Sequence, residues 1–402
     1  MTSPVTILGA GPAGMTTALF AARAGWKVQL IDRNEKVGRK LLVTGAGRAN
    51  LTNHNMDASH YPAVDAQWLQ QVLDQFGYKE LLAFFRSIGI LTYTTHDGWT
   101  YPLSESAQSV VYAFENALKL AGVKLLLNQH ITAIRKESGG FILSSADKVD
   151  LRTPHLVVAS GGKASPALGS SGDLFSSLRS LGHNINPLLP ALAPLTAEIQ
   201  PWQKLQGVRL DARAGLYENS TLLAETTGNL IFTAWGLNGP AVMDISHHVS
   251  TRPGAKLELR LNVLFDREDE LRLLIRDFGT TPTPFATLLS SVAAPKLAAV
   301  ILPMCRLPVD AKLNTINEAQ VEKVLRLLKA MPISITGVRG FEFCQVSAGG
   351  VPTSEVDPLN MRSRVVAGLS LAGETVDVIG PCGGYNLQFA FSSGAIAGMN
   401  LE

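Results

Sequence analysis

Cysteine is scarce in this sequence. The chain has 402 residues but only 3 cysteines, Cys305, Cys344 and Cys382, which lie far apart and form no C-x-x-C pair. A sparse, odd set of this kind argues against a disulfide framework and against a cysteine zinc site. We therefore expect a protein of a reducing compartment, the cytoplasm.

An excess of charge of one sign is also missing. The chain carries 35 Lys+Arg against 33 Asp+Glu, which gives a formal net charge of +2. General nucleic-acid binders show a basic surplus, so we expect no nucleic acid among the partners. A membrane-spanning helix needs about 18 or more consecutive apolar residues, and the sequence has no such run. We accordingly expect no membrane partner, whereas the oligomeric state stays unknown.

Metal ligands are not clustered along the chain. His247 and His248 form the one adjacent histidine pair, and no further ligands stand at a suitable spacing from them. A zinc site needs three or four such ligands. We expect no metal site, and the pair is interpreted as ordinary histidines of the middle third.

A strand–turn–helix–strand unit opens the chain. Residues 5–8 predict a buried strand, residues 12–24 a helix and residues 27–31 a second strand. This order is typical of the start of a doubly wound α/β sheet.

The turn after the first strand reads "GAGPAG", residues 9–14. In a G-x-G-x-x-G fingerprint, Gly9 permits the tight turn, Gly11 lets the backbone approach a pyrophosphate, and Gly14 lets the helix pack closely on the strand. Pro12 and Ala13 open the helix, whose N-terminus would face the phosphates. Asp32 follows the second strand, where an acid can bind ribose hydroxyls. The alternative is an ordinary glycine turn with a surface aspartate.

The fingerprint does not separate FAD from NAD, but two other segments favour FAD. The first is "GRK", residues 38–40, followed by "TGAGRAN", residues 44–50. A glycine loop with basic residues suits a long dinucleotide, although a flexible surface loop is the other interpretation. The second is "LAGE", residues 371–374, followed by "GPCGGYNLQ", residues 380–388. It offers a strand, an acid, a glycine turn and a new helix start, which could hold the ring end of FAD or simply connect a strand to a helix.

At these residues the chain resembles a known family. The segments "GAGPAGMTTALFAARAGWKVQLID", "GRKLLVTGAGRANLTN", "ASGGKASPALGSSGD", "GNLIFTAWGLNGPAVMDIS" and "LAGETVDVIGPCGGYNLQFAFSSGAIAG" are similar to those of the HI0933-like flavoproteins, the YhiN/BaiN-type NAD(P)/FAD-dependent oxidoreductases. The likeness covers nearly the whole chain. It implies a glutathione-reductase-like FAD-binding domain that carries a strand-rich, barrel-like and helical insert.

The resemblance also implies a cofactor site. Together with the residues of the motifs, the predicted FAD-binding set is Gly9, Gly11, Pro12, Ala13, Gly14, Asp32, Arg33, Gly38, Arg39, Lys40, Gly45, Gly47, Arg48, Asn50, Ile131, Ser160, Gly161, Gly373, Glu374, Gly384, Tyr385, Asn386 and Leu387. In this set, Ile131 is expected near the adenine, and Gly373, Glu374 and residues 384–388 near the ribityl chain and flavin.

The chain departs from the family at two places. Family members usually have cysteine where this chain has Ala49, so thiol chemistry at that place is absent. They often have Val-Phe-Pro where this chain has Thr100-Tyr101-Pro102. A tyrosine there is expected to alter the substrate pocket.

Domain boundaries follow from a change of pattern near Pro187. We predict an FAD-binding domain of residues 1–186 and 336–402 and an insert of residues 187–335. Within the insert, residues 187–264 are expected to be rich in strands and residues 265–335 helical. The chain ends with a predicted helix of residues 386–400, whose N-terminus would stabilise negative charge on a reduced flavin.

Flavin supplies the redox chemistry itself, so few catalytic side chains are required. Tyr385 and Asn386 are candidates for contact with flavin or substrate, and helix capping and packing are the alternative. Two further candidate pocket walls are the loop with His96, Asp97, Trp99 and Tyr101, and the insert segment with Trp235 and residues 238–240.

The predicted function is that of an FAD-dependent oxidoreductase. It would transfer hydride between bound flavin and a small organic substrate, as a reductase of an unsaturated ketone or an oxidase of an amine, with NAD(P)H as a transient donor. Only one dinucleotide fingerprint is present, which argues against a separate nicotinamide domain. The alternatives are an FAD-dependent tRNA-modifying protein and a non-catalytic flavin-bound redox sensor.

Overall fold

The computed structural model describes residues 4–62, 64–145 and 150–402. The chain divides into two compact units: residues 1–189 with 344–402, and residues 190–343. Each unit has a hydrophobic core of its own. Among the described residues, no helix combines the length and the apolarity needed to cross a bilayer.

Strands and helices are numbered in chain order. The strands are β1 (Val5–Leu8), β2 (Val28–Ile31), β3 (Thr52–Asn53), β4 (Thr92–Thr94), β5 (Trp99–Pro102), β6 (Lys124–Leu126), β7 (Ile131–Glu137), β8 (Gly140–Ser145), β9 (Asp150–Thr153), β10 (His155–Val158), β11 (Asn186–Ala191), β12 (Leu195–Ala197), β13 (Arg209–Glu218), β14 (Thr221–Phe232), β15 (Gly236–Asn238), β16 (Leu257–Asn262), β17 (Met331–Val338), β18 (Val346–Gly350) and β19 (Leu369–Leu371). The helices are α1 (Pro12–Arg23), α2 (Ala66–Gln75), α3 (Tyr78–Ser87), α4 (Ala107–Leu120), α5 (Phe175–Ser180), α6 (Pro240–Met243), α7 (Ser246–Ser250), α8 (Glu268–Phe278), α9 (Phe285–Leu289), α10 (Pro295–Met304), α11 (Glu318–Lys329) and α12 (Tyr385–Met399).

A five-stranded parallel sheet forms the centre of the first unit, in the order β19-β10-β1-β2-β6. All four residues of β1 are buried, as expected for a parallel strand covered on both faces. The pairing of β19 with β10 brings the end of the chain back to the first sheet. The predicted fold class, an α/β doubly wound domain with a strand-rich and helical insert, is confirmed.

Helix α1 begins at Pro12, where the missing N–H of proline costs nothing. It ends before Gly25, whose φ of +88° provides the left-handed residue that commonly terminates a helix. Helix α12 packs against α1 through Gly394 and Gly398. A Cβ on Gly394 would lie 2.4 Å from the Ala13 carbonyl oxygen, and one on Gly398 2.5 Å from that of Thr17. Glycines at these two positions therefore set the close approach of the helices.

Two turns in the first unit divide segments of the chain into separate elements. Residues 66–87 form two helices, because the chain turns between Gln75 and Tyr78 and a Cβ on Gly77 would lie 2.7 Å from the Leu73 carbonyl oxygen. Residues 123–134 are divided between two sheets. Strand β6 joins the edge of the parallel sheet, and Asn128, with a φ of +56°, turns the chain into β7 of another sheet.

The second unit contains a closed barrel in the order β12-β15-β14-β13-β16-β17. Helices α8 to α11 lie in the sequence between β16 and β17. The prediction that residues 265–335 are helical is wrong at its end, since β17 occupies Met331–Val338 and pairs with both β16 and β12. The expected boundary at residue 335 thus falls inside a barrel strand.

Candidate cofactor and active site

The three glycines of the fingerprint turn have different surroundings. Gly9 has a φ of +102°, and a Cβ there would lie 2.3 Å from the Ala159 carbonyl oxygen. A Cβ on Gly14 would lie 1.8 Å from the Gly9 carbonyl oxygen, so α1 packs directly on the turn. A Cβ on Gly11 would meet nothing within 4 Å. Open space therefore stands beside the first turn of α1, where backbone N–H groups have no partner within the helix.

Asp32 holds this turn in place. Its carboxylate accepts hydrogen bonds from the backbone N–H of Ala10 at 2.6 Å and of Asn34 at 2.8 Å. The backbone N–H of Gly38 donates to the Ala10 carbonyl oxygen at 2.8 Å. Asp32, after β2, and Gly38, at the start of the next loop, therefore both form hydrogen bonds with Ala10 in the middle of the fingerprint.

A cleft with about 470 Å³ of empty space lies at the carboxyl ends of β1, β2 and β10. Ligands of open α/β sheets bind at this edge. The cleft is lined by Leu8, Gly9, Ile31, Asp32, Arg33, Gln129, His130, Ile131, Ser160, Gly169, Ser171, Gly172, Asp173 and Leu174. Five of the residues predicted from the sequence, Gly9, Asp32, Arg33, Ile131 and Ser160, are brought together here.

Charged side chains are paired in one wall of the cleft. Arg33 donates from Nη1 to Asp173 at 2.8 Å and to Ser171 at 2.5 Å, and His130 Nε2 lies 2.9 Å from the Asp173 carboxylate. Burial opposes ionisation of Asp173, but the hydrogen bonds from Ser171 and His130 and the charge of Arg33 outweigh it and lower the pKa of Asp173. This wall therefore carries an ionised carboxylate beside a fixed guanidinium.

Lys40 and Glu374 form a half-buried ion pair of 2.8 Å between Nζ and Oε2. The other carboxylate oxygen of Glu374 accepts from the Ser347 backbone N–H at 2.7 Å and from its hydroxyl at 3.1 Å. A Cβ on Gly373 would lie 2.8 Å from that of Ala13 on α1. Gly373 and Glu374, which follow β19, therefore lie between α1 and the loop after Gly38.

Strand β3, which follows the first segment that favoured FAD, meets the second segment in the structure. Thr52 donates from its hydroxyl to Gln388 Oε1 at 2.5 Å, and the Asn53 amide donates to the Gly383 carbonyl oxygen at 3.0 Å. Gly384, with a φ of +97°, lies so close that a Cβ would stand 2.4 Å from the Thr52 carbonyl oxygen. The glycine turn before α12 is therefore docked on β3.

Asn386 and Tyr385 are engaged by the protein itself. The Asn386 amide accepts from the Gly380 backbone N–H at 2.8 Å and donates to the Gly380 carbonyl oxygen at 2.8 Å. Tyr385 is buried, and its carbonyl oxygen accepts a 2.8 Å hydrogen bond from the Tyr61 hydroxyl. These contacts give Asn386 the role of holding the turn of residues 380–386.

Aromatic side chains of β4 and β5 lie beside the two glycine segments. A Cβ on Gly383 would stand 3.0 Å from Nε1 of Trp99, and one on Gly45 would stand 3.4 Å from Cε1 of Tyr101. The Arg48 guanidinium carbon lies 4.7 Å from the centroid of the Tyr101 ring, which in turn stacks on Tyr93 at 5.9 Å. We call Trp99, Tyr101 and Tyr93 the aromatic platform.

Some predicted residues lie elsewhere. Arg39 is exposed and donates to Asn34 at 3.1 Å, and Leu387 packs on the hydrophobic core. His96 and Asp97 form an exposed pair at a hairpin tip, so only Trp99 and Tyr101 of that loop belong to the platform. Gln129, His130, Ser171 and Asp173 line the cleft but were not predicted as site residues. The segment "SPALGSSGD" that supplies two of them was among those shared with the family.

In the second unit, Trp235 stacks with Arg339 at 4.7 Å, and residues 238–240 lead from β15 into α6. The rings of His247 and His248 are 4.0 Å apart. Burial, with a smaller contribution from His248, lowers the pKa of His247 to about 4. Within the described residues, no three His, Cys, Asp or Glu side chains form a group able to hold a metal ion.

Two curated relatives match over nearly their full length. The chain is 37% identical to a 3-dehydro-bile acid delta(4,6)-reductase of Clostridium scindens, covering 98% of each chain. It is 30% identical to a ribosomal RNA dihydrouridine synthase of Escherichia coli, covering 96% of this chain and 95% of the relative.

Solved structures share the fold. A 3-ketosteroid-delta4-(5alpha)-dehydrogenase of Rhodococcus jostii superposes with a TM-score of 0.53 at 13% identity, covering 99% of this chain and 96% of that one. The sequence profile described as "HI0933-like protein Rossmann domain" matches residues 3–400. Together with the named reductase, these matches support the predicted class, a flavoprotein oxidoreductase with a Rossmann-type nucleotide-binding domain. The chain belongs to the HI0933-like family, as the sequence motifs predicted.

Proposed function

We propose that this protein binds FAD in its first unit and reduces a carbon–carbon double bond conjugated to a carbonyl group in a small organic substrate. The observation that carries the proposal is the open space at Gly11 beside the start of α1. Backbone atoms enclose Gly9 and Gly14, whereas nothing packs against Gly11. A pyrophosphate at the N-terminus of α1 would account for a glycine at this position.

The residues present fit the other parts of FAD. The cleft that contains Asp32, Arg33 and Ile131 would take the adenosine half. Lys40 and Glu374 would lie along the ribityl chain. The turn of residues 380–384, docked on β3, would approach the isoalloxazine, because glycines allow the backbone close to a planar ligand. Bound flavin would supply the hydride.

The protein's own contribution would be position and exclusion of water. A buried hydrogen-bond network joins Thr52 and Gln388, and Gln388 continues to Ser392 at 2.9 Å. Such a network fixes the start of α12 against β3. The aromatic platform would form a wall for a flat apolar substrate.

The similar proteins support this substrate class. A delta(4,6)-reductase that is 37% identical over 98% of each chain favours reduction of a conjugated double bond over oxidation of an amine. NAD(P)H remains our proposed transient donor, since the chain has a single dinucleotide fingerprint.

A direct test uses the purified protein. Denaturation should release FAD and no FMN. After anaerobic reduction by dithionite, mixing with 4-androstene-3,17-dione and a panel of simpler enones should reoxidise the flavin with formation of the saturated ketone. Separate mixing of the oxidised protein with NADH or NADPH identifies the donor. A protein that carries FMN, or a reduced protein that reacts with no enone, would overturn the proposal.

A second candidate is reduction of a uridine base in ribosomal RNA. The observation that favours it is the 30% identity to the dihydrouridine synthase over 96% of this chain. The chemistry is related, because dihydrouridine differs from uridine by two hydrogens across a double bond conjugated to a carbonyl. The balanced charge of the chain speaks against RNA binding. Reoxidation of the reduced protein by ribosomal RNA but by no free enone would favour this second candidate.

A further inference from the structure

The hydroxyl of Tyr101 stands out among the tyrosines around the site. Tyr101 is 2% exposed, and its hydroxyl makes no hydrogen bond with any residue that the structure describes. By contrast, the Tyr93 hydroxyl donates to Glu105, and that of Tyr61 donates to the Tyr385 carbonyl oxygen. The Tyr101 hydroxyl oxygen is not among the fully buried polar atoms that lack a partner, so it is accessible to water or to a substrate that binds from outside the protein.

The place of Tyr101 fits such a partner. Trp99 and Tyr101 are two residues apart on β5 and therefore project from the same face of the strand. Trp99 lies against Gly383 and Tyr101 against Gly45. Strand β5 thus places Tyr101 beside the loop of residues 44–50 and Trp99 beside the turn of residues 380–384, to which the proposed function assigns the isoalloxazine.

Arg48 gives Tyr101 an electrostatic partner. Its guanidinium lies over the Tyr101 ring, 4.7 Å from the centroid. Burial raises the pKa of Tyr101, Arg48 opposes that shift, and Glu105 adds to it. The Tyr101 phenol is therefore protonated at neutral pH. The guanidinium of Arg48 would stabilise the phenolate that forms when Tyr101 loses its proton.

We propose that Tyr101 is the proton donor of the reduction, with Arg48 as the residue that positions it and stabilises its conjugate base. This inference rests on the proposed function. Saturation of a conjugated double bond adds a hydride, taken from reduced flavin, to the β-carbon and leaves an enolate. The O–H bond of Tyr101 breaks as a C–H bond forms at the α-carbon. The phenolate beside Arg48 then regains a proton from water, so that flavin is oxidised, the substrate is reduced and the tyrosine is restored.

The test separates proton donation from cofactor binding. The holoenzyme and its Tyr101→Phe variant are reduced anaerobically by dithionite and mixed with 4-androstene-3,17-dione in a stopped-flow instrument. The rate of flavin reoxidation by the steroid should fall about 10²- to 10⁴-fold, the range for loss of a general acid. FAD content, the melting temperature and the dissociation constant of the steroid, measured by perturbation of the oxidised flavin spectrum, should not change. The wild-type reoxidation rate should also show a solvent deuterium isotope effect, because the transferred proton comes from an exchangeable O–H group.

Tyr112→Phe is the matched control, because Tyr112 carries the same phenol on α4, where it is 62% exposed and lies outside the aromatic platform. Its reoxidation rate should equal that of the wild type. Arg48→Met should slow reoxidation and Arg48→Lys should restore part of the rate. Equal rates in the wild type and the Tyr101→Phe variant would overturn the assignment of Tyr101 and leave the proposed function standing. A wild-type protein that is not reoxidised by any enone would overturn both.

Discussion

At the scale of single residues, Gly11 and Gly14 differ in what surrounds the missing side chain. Space is open around Gly11, whose φ of −80° suits any residue, whereas Gly14 touches the backbone of Gly9. The same motif thus contains one glycine that the fold does not need and one that it does.

A pair of substitutions separates these roles. Gly11→Val should leave the melting temperature of the apoprotein unchanged and abolish FAD binding, because the valine would occupy the space assigned to the pyrophosphate. Gly14→Ala should lower the free energy of unfolding by roughly 1–3 kcal/mol, the usual cost of overpacking. FAD content by absorbance and unfolding by urea check both variants. Full flavin occupancy in Gly11→Val would show that this turn is not the phosphate site.

His247 provides a prediction about pH. Burial lowers its pKa from the usual 6.5 to about 4, so the fold favours the neutral ring. The unfolded chain takes up a proton at a higher pH than the folded chain does. The stability contributed by the neutral ring is therefore fully present above pH 6.5 and is lost as the pH falls towards 4.

The loss should be on the order of 2–3 kcal/mol, from about 1.4 kcal/mol per unit of pKa shift. His247→Gln should remove this component from the pH dependence of urea unfolding between pH 6.5 and 4. His96→Gln is the control, because the side chain of His96 is 91% exposed. Identical pH profiles for the wild type and His247→Gln would contradict the buried neutral ring.

At the scale of elements, the sequence predicted structure that depends on local patterns better than structure that depends on long-range strand pairing. The strand–turn–helix–strand unit follows from periodicity and glycine placement within about thirty residues, and β1, α1 and β2 form there. The end of the helical part was predicted at residue 335, inside strand β17, because the pairing of β17 with β12 joins residues far apart in the sequence. The cleft residues His130 and Asp173 were missed for the same reason, since each is an ordinary loop residue until the fold brings them 2.9 Å apart.

The turn before α12 yields a prediction of its own. Asn386 bonds both the N–H and the carbonyl group of Gly380. Asn386→Ala should therefore loosen this turn and weaken FAD binding, while the reoxidation rate of those molecules that retain FAD stays close to the wild-type value. Gly384→Ala should have the larger effect, because its φ of +97° and the 2.4 Å approach to Thr52 exclude a side chain. Flavin titration and stopped-flow reoxidation measure the two quantities separately. A variant at Asn386 with normal FAD affinity and slow reoxidation would instead make Asn386 a catalytic residue.

At the scale of the whole molecule, the candidate cofactor site draws on both ends of the chain. Residues 5–53 and 369–399 supply the fingerprint, the Lys40–Glu374 ion pair and the docked glycine turn. Residues 190–343 form a unit with its own core. A ligand that contacts both terminal segments would therefore link the two ends of the chain directly.

FAD should therefore stabilise the two ends of the chain together. In the full-length apoprotein, addition of FAD at about 100 times its dissociation constant should stabilise the binding unit by about 2.7 kcal/mol. Hydrogen exchange followed by mass spectrometry should show slower exchange in peptides of β1, α1, β2 and α12 alike, because α12 packs on α1 through Gly394 and Gly398. The Gly11→Val variant under the same conditions is the control and should show no change. FAD that is retained by the wild type but slows exchange only in peptides of the first fifty residues would mean that α12 takes no part in holding the cofactor.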